Sequence, residues 1–121
     1  MIFKNITFKH VNVATNQKLD NLVEQKLVSL EKYIDPGTEV RAEVEFEKIP
    51  SHKSGPICRI EINVWEKGTL FRAEATEETF EIAIDVVRNE LDQAMRKSHE
   101  KRDSLKRQGG RKIKEMIRGV K

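Results

Sequence analysis

Val40-Arg41-Ala42-Glu43-Val44-Glu45-Phe46-Glu47 alternates apolar and charged residues almost without error, and a period of two excludes a helix there. Val40, Ala42, Val44 and Phe46 share one face of a strand, while Arg41 and the glutamates share the other. The parity returns in Cys58, Ile60, Ile62 and Val64 against Arg59, Glu61, Asn63 and Trp65. Past a Lys67-Gly68 turn it returns again, with Phe71, Ala73 and Ala75 opposed to Arg72 and Glu74. Successive half-buried strands of this kind make an antiparallel meander with one apolar face, and that face has to be covered.

The cover is written on either side of the meander. Leu19, Leu22, Val23, Leu27, Leu30 and Tyr33/Ile34 recur at three and four, which predicts a helix capped by Asn16 and stopped by Asp35-Pro36-Gly37. Phe80, Ala83, Ile84, Val87, Leu91 and Ala94 trace a second stripe, with Thr76 as its N-cap and Glu77 and Glu78 in its first turn. Residues 2–9 alternate around Ile6 and Phe8 as a short strand, and Ile49 to Pro56 has the turn chemistry of a loop. The expected fold is α+β in the order β-α-β-β-β-α, a four-stranded sheet with two helices packed on one face and the other face wet. Double-stranded RNA-binding modules share its α-β-β-β-α order, so a relation to those domains is expected.

Charge is divided unevenly along this pattern. Residues 96–121 hold eleven Lys/Arg against three acids, a net +8, whereas residues 1–95 carry −5. A basic segment continuing from an acidic body points to a polyanion, RNA or DNA. The second stripe fades after Met95, and no glycine or proline intervenes before Gly109-Gly110, so the helix is expected to continue as a basic stem. Beyond the glycines, Ile113, Met116, Ile117 and Val120 fall at i, i+3, i+4 and i+7 among basic residues. A helix that short is unstable alone in water, where ~12–15 residues are marginal, so this end is expected to be disordered when free and to fold on contact. The expected organisation is therefore a folded domain over residues 1–102 and a basic, flexible tail over residues 103–121.

Other classes find little support. No apolar run approaches the ~18–20 residues of a membrane span, and Met1-Ile2-Phe3-Lys4-Asn5 lacks a signal-peptide core. A single cysteine, Cys58, rules out an internal disulfide. A cytoplasmic protein without membrane attachment is expected. His10, His52 and His99 are scattered, Cys58 has inward parity, and Gly109-Gly110-Arg111-Lys112 follows no strand, so neither a nucleophile, a metal site nor a phosphate loop is visible. Glu77-Glu78 reads as helix-start charge rather than an acid/base pair. The expectation is no enzyme, no cofactor, no metal and no small-molecule substrate.

Lys26 stands at the edge of the first helical stripe. It is either a snorkelling lysine whose stem covers core or a cation held beside Lys32 for a phosphate. Arg88, Arg96 and Lys97 flank the second stripe, so neighbouring helices would bring both sets into one basic ledge, continued by Lys101 and Arg102 on the stem. Aromatic stacking motifs are absent, and Trp65 is alone on the outer sheet face, so binding should rest on phosphates and RNA shape.

Asn16-Gln17-Lys18-Leu19 followed by Lys26-Leu27-Val28-Ser29-Leu30-Glu31-Lys32-Tyr33 resembles the first helix of the ribosome hibernation promoting factor family, which includes the ribosome-associated inhibitor called protein Y. Ala73 to Asp85, running on to Leu91-Asp92-Gln93-Ala94-Met95-Arg96-Lys97, resembles its last strand and second helix. The likeness covers about residues 1–102. It implies a short-form factor that binds the small ribosomal subunit and 16S-type rRNA, blocks the channel used by messenger and transfer RNA, and silences idle ribosomes under stress. It also implies Lys9, Lys26, Lys32, Arg96 and Lys97 as RNA-binding positions; Arg88, Lys101 and Arg102 join them from charge and facing. Off the ribosome the chain is expected to be monomeric. Asn16-Gln17 replaces the family's usual Thr-Pro, and His10-Val11 stands where glycine and a basic residue are common. The tail is basic where the best-known short inhibitor has an acidic one, so direct ribosome dimerisation is not expected of residues 1–121. The alternative is a generic structured-RNA-binding module without a specific ribosomal site.

Overall fold

A computed structural model describes residues 3–50 and 57–119, the side chains of Lys4 and of residues 106–119 excepted. The loop expected to run to Pro56 therefore lies, from residue 51 and including His52, outside the described residues. The elements are β1 (Phe3–Val11), α1 (Gln17–Val28), a 3-10 turn (Glu31–Tyr33), β2 (Val40–Lys48), β3 (Cys58–Glu66), β4 (Thr69–Glu77) and α2 (Phe80–Gly119). The order β-α-β-β-β-α is the expected one.

The strands form one sheet in the order β1-β2-β3-β4, with β1 parallel to β2 and the other pairs antiparallel. A parallel pair needs a crossover, and α1 supplies it. The inner face runs in register through Ile6, Ala42, Val64 and Phe71, and through Phe8, Val44, Ile62 and Ala73. Val23, Leu27 and Leu30 close over it on the α1 side, and Ala83, Ile84, Val87, Leu91 and Met95 on the α2 side, all of them buried. Both helices thus lie on one face. Phe46 is held between the parallel ring of His10, 5.3 Å away by centroids, and the edge of Phe80 at 5.4 Å. His10 Nε2 also meets Asp20 Oδ1 at 3.1 Å, which ties β1 to the start of α1.

Three local readings change. The first helix ends at Val28, not at Asp35-Pro36-Gly37: the Ser29 hydroxyl donates to the Lys26 carbonyl, and Leu30, Tyr33 and Ile34 make tighter i−3 bonds. That turn is what lets Leu30 and Ile34 both reach the core. Asn16 does cap α1, accepting from Lys18 N and Leu19 N. Thr76 does not cap α2, because pairing with Arg59 keeps it in β4; Thr79 takes the role, accepting from Ile82 N at 3.2 Å. Ala94 is exposed, and Met95, four residues after Leu91, carries the stripe instead.

Past Met95 the chain stays helical through Gly109-Gly110 to Gly119. Phe80 to Arg102 spans about 33 Å at ~1.5 Å per residue, close to the ~30 Å of a nine-residue strand. The remainder of α2 therefore runs beyond the sheet.

Candidate nucleic-acid interface

The α1–α2 seam gathers four of the eight candidate cations, three of them beside an acid or a hydrogen-bonding neighbour and Lys32 against an aromatic ring. Lys26, in the last turn of α1, places Nζ 3.0 Å from Asp85 Oδ1 of α2. One turn along α2, Arg88 donates from Nε to the Ser29 hydroxyl at 3.2 Å and from Nη1 to Asn89 at 3.3 Å. Gln25, Lys26, Ser29, Asp85, Arg88 and Asn89 line an open groove of about 410 Å³. A turn further, Tyr33 donates to Asp92 at 2.8 Å, and Arg96 lies 3.9 Å from the same carboxylate. Lys32 Nζ sits 5.2 Å from the centroid of the Tyr33 ring. Lys26, Lys32, Arg88 and Arg96 thus form a row interleaved with Asp85 and Asp92, rather than the unbroken basic ledge expected.

Three further candidates stand elsewhere. Lys97 and Lys101 are exposed, but at ~100° per residue Lys97 points away from Arg96 and the seam, and Lys101 continues its flank. Lys9 pairs across β1–β2 with Glu45 and lies on the outer sheet face beside Thr7, Glu43 and Asn63. Arg102 differs from all of these. Its guanidinium is 2.7 Å from Glu66, 3.5 Å from Asp35 and 3.0 Å from the Tyr33 carbonyl. Glu66 is 3% exposed on the inner face of β3, so Arg102 neutralises a buried acid rather than presenting a free charge. It is the last residue of α2 tied to the body by a described hydrogen bond or ion pair.

The outer sheet face is occupied by its own charges. Glu61 lies directly across from Glu45 on one side and Glu74 on the other. Arg59 bridges Glu47, Glu61 and Glu74, and Arg72 reaches Glu61 at 3.1 Å. Burial alone would push the Glu61 carboxyl up, but hydrogen bonds from Asn63, Arg59 and Arg72 hold it below its ordinary value of 4.5. Trp65, on this face as expected, is covered by the Arg41 guanidinium at 4.4 Å. Glu66 and His10 take inner-face roles that hydrophobic periodicity alone does not reveal. Strand parity was the available signal, since both continue the inward series of their strands.

By fold the molecule is a two-layer α+β domain of the kind seen in the N-terminal domain of Thermus thermophilus protein Y. The two superpose with a TM-score of 0.65 at 28% identity, over 77% of this chain and 97% of that one. A ribosomal subunit interface protein from Coxiella burnetii shares the fold, with a TM-score of 0.61 at 21% identity over 78% of this chain and 96% of that one. A search of curated proteins found no match. The chain belongs to the sigma 54 modulation protein / S30EA ribosomal protein family, whose model matches residues 5–103. The resemblance carried by the Lys26–Tyr33 and Ala73–Asp85 runs is thereby borne out.

Proposed function

We propose that this protein binds the small ribosomal subunit, occupies the channel used by messenger and transfer RNA, and silences the ribosome by occlusion. The observation that carries this reading is membership of the S30EA ribosomal protein family across residues 5–103. The protein Y and ribosomal subunit interface structures that share its fold support it. No catalysis is required for such a role, and its setting is the cytoplasm. Among the described residues no helix is long and apolar enough to cross a membrane.

In this reading Lys26, Lys32, Arg88 and Arg96 meet 16S-type rRNA phosphates along the helix seam. Lys97 and Lys101 extend the contact round α2, and Lys9 makes a separate contact from the other layer. Exposed ion pairs such as Lys26–Asp85 are weak, so a phosphate can replace the carboxylate. Arg102 serves as a strut. Residues 103–121 form a basic segment separable from the folded domain.

Sedimentation with purified small subunits over a salt series tests the proposal. Neutralising about six phosphates gives a log-log affinity slope near −4 to −5, and replacing Lys26 or Lys97 with alanine lowers its magnitude by about 1 each. The protein should co-sediment at low salt and be displaced by transfer RNA with message. Absence from the subunit fraction at low salt, or equal binding to free duplex RNA, rejects the proposal.

A further inference from the structure

The two aspartates of the seam are used differently. Asp92 is committed to the fold: it accepts the Tyr33 hydroxyl at 2.8 Å, and its side chain is 16% exposed. Asp85 has only Lys26 as a described partner, at 3.0 Å, and its side chain is 61% exposed. A carboxylate that open adds little to stability. It nevertheless lines the same groove as Lys26 and Arg88, so a phosphate entering there to meet those cations would meet Asp85 as well.

The neighbours of the pair are fixed. Arg88 is bonded to Ser29 and Asn89, and Ser29 is itself bonded to the Lys26 carbonyl. The Arg88–Ser29 contact holds the end of α1 and the third turn of α2 at a set spacing whether or not Lys26 and Asp85 are paired. The ion pair is therefore the movable part of the seam. A phosphate entering the groove must take Lys26 from Asp85 and then sit beside a negative charge that has lost its partner. Like charges in contact are penalised unless a third group intervenes.

We infer that Asp85 is a specificity-determining residue, which holds Lys26 out of reach of ordinary RNA backbone and releases it where the target supplies a hydrogen-bond donor beside the phosphate. The inference rests on the seam facing RNA, as proposed above. Its ligand class is a phosphate flanked by an amino donor that takes over the carboxylate. A regular duplex backbone offers phosphates without such a partner at the required place, and Asp85 selects against it.

The test compares dissociation constants for a free RNA duplex and for purified small subunits, using the full chain. Asp85→Asn should tighten duplex binding about fivefold, the equivalent of one exposed charge contact, and tighten subunit binding by less, so that the preference for the subunit shrinks. Glu90→Gln, the same charge change on the exposed flank of α2 away from Lys26, is the control. It should alter both affinities equally and by less than about twofold. In a Lys26→Met background the Asp85→Asn gain on duplex should vanish, since its route is the release of Lys26. Equal effects of Asp85→Asn and Glu90→Gln, a gain that persists without Lys26, or looser duplex binding by Asp85→Asn would each overturn the inference. If the wild type binds duplex but not subunits, the ribosomal proposal fails while the duplex arm still decides the role of Asp85. Binding to neither overturns both.

Discussion

Arg102 and Glu66 show how a single pairing changes the meaning of a charge. Removing the guanidinium with Arg102→Met leaves the Glu66 carboxylate in the inner layer, 3% exposed and without its cation. The expected cost is ~3 kcal/mol of unfolding free energy, measured by urea denaturation, and Glu66→Leu in the same chain should restore much of it. On the opposite face, Glu61 has a depressed folded-state carboxyl. Its stabilisation is intact above its ordinary value of 4.5 and is lost as pH falls through the lower folded value, because the unfolded chain binds the proton first. Glu61→Gln should therefore flatten the acid limb of the stability–pH curve. The sequence made half of this readable. Parity places Glu66 inward after Cys58, Ile60, Ile62 and Val64, and a buried acid demands a cation. Which cation answers it depends on where α2 crosses the end of the sheet, and the local pattern around Arg102 holds no record of that.

At the scale of elements, periodicity located the two α-helices and the four strands of the described residues, but not the 3-10 turn or the ends that tertiary pairing decides. β4 runs on to Glu77 because β3 offers partners as far as Cys58, and this outweighs the capping chemistry of Thr76. The break after Val28 depends on one hydroxyl, that of Ser29, which bonds backward to Lys26 and forward to Arg88. Ser29→Ala should loosen the seam by ~1 kcal/mol or less, as for one net hydrogen bond, with the loss seen in unfolding experiments. The stem carries a separate expectation. Since Arg102 is the last described tie to the body, truncation after Gln108 should leave the urea midpoint unchanged and weaken association with small subunits. Unaltered affinity would make this segment dispensable for binding.

The whole molecule is a sandwich of unlike layers. Its sheet face ties Arg59 and Arg72 to its own glutamates, while its helical layer holds a row of cations in looser pairs. The charge split along the sequence suggested a basic tail on an acidic body. In three dimensions the contrast runs across the thickness of the domain as well as along its length, because alternating side chains send β2 glutamates one way and helix cations the other. The inner surface between the layers also contains the chain's one thiol. Cys58 is 7% exposed, and its Sγ donates to the Glu78 carbonyl at 3.5 Å. A thiol reagent reaches it fully only when the fold opens around it, so slow modification without denaturant becomes a clock for spontaneous opening. That clock should slow when a partner binds the closed form alone, giving a readout of occupancy that needs neither a label nor a separation step.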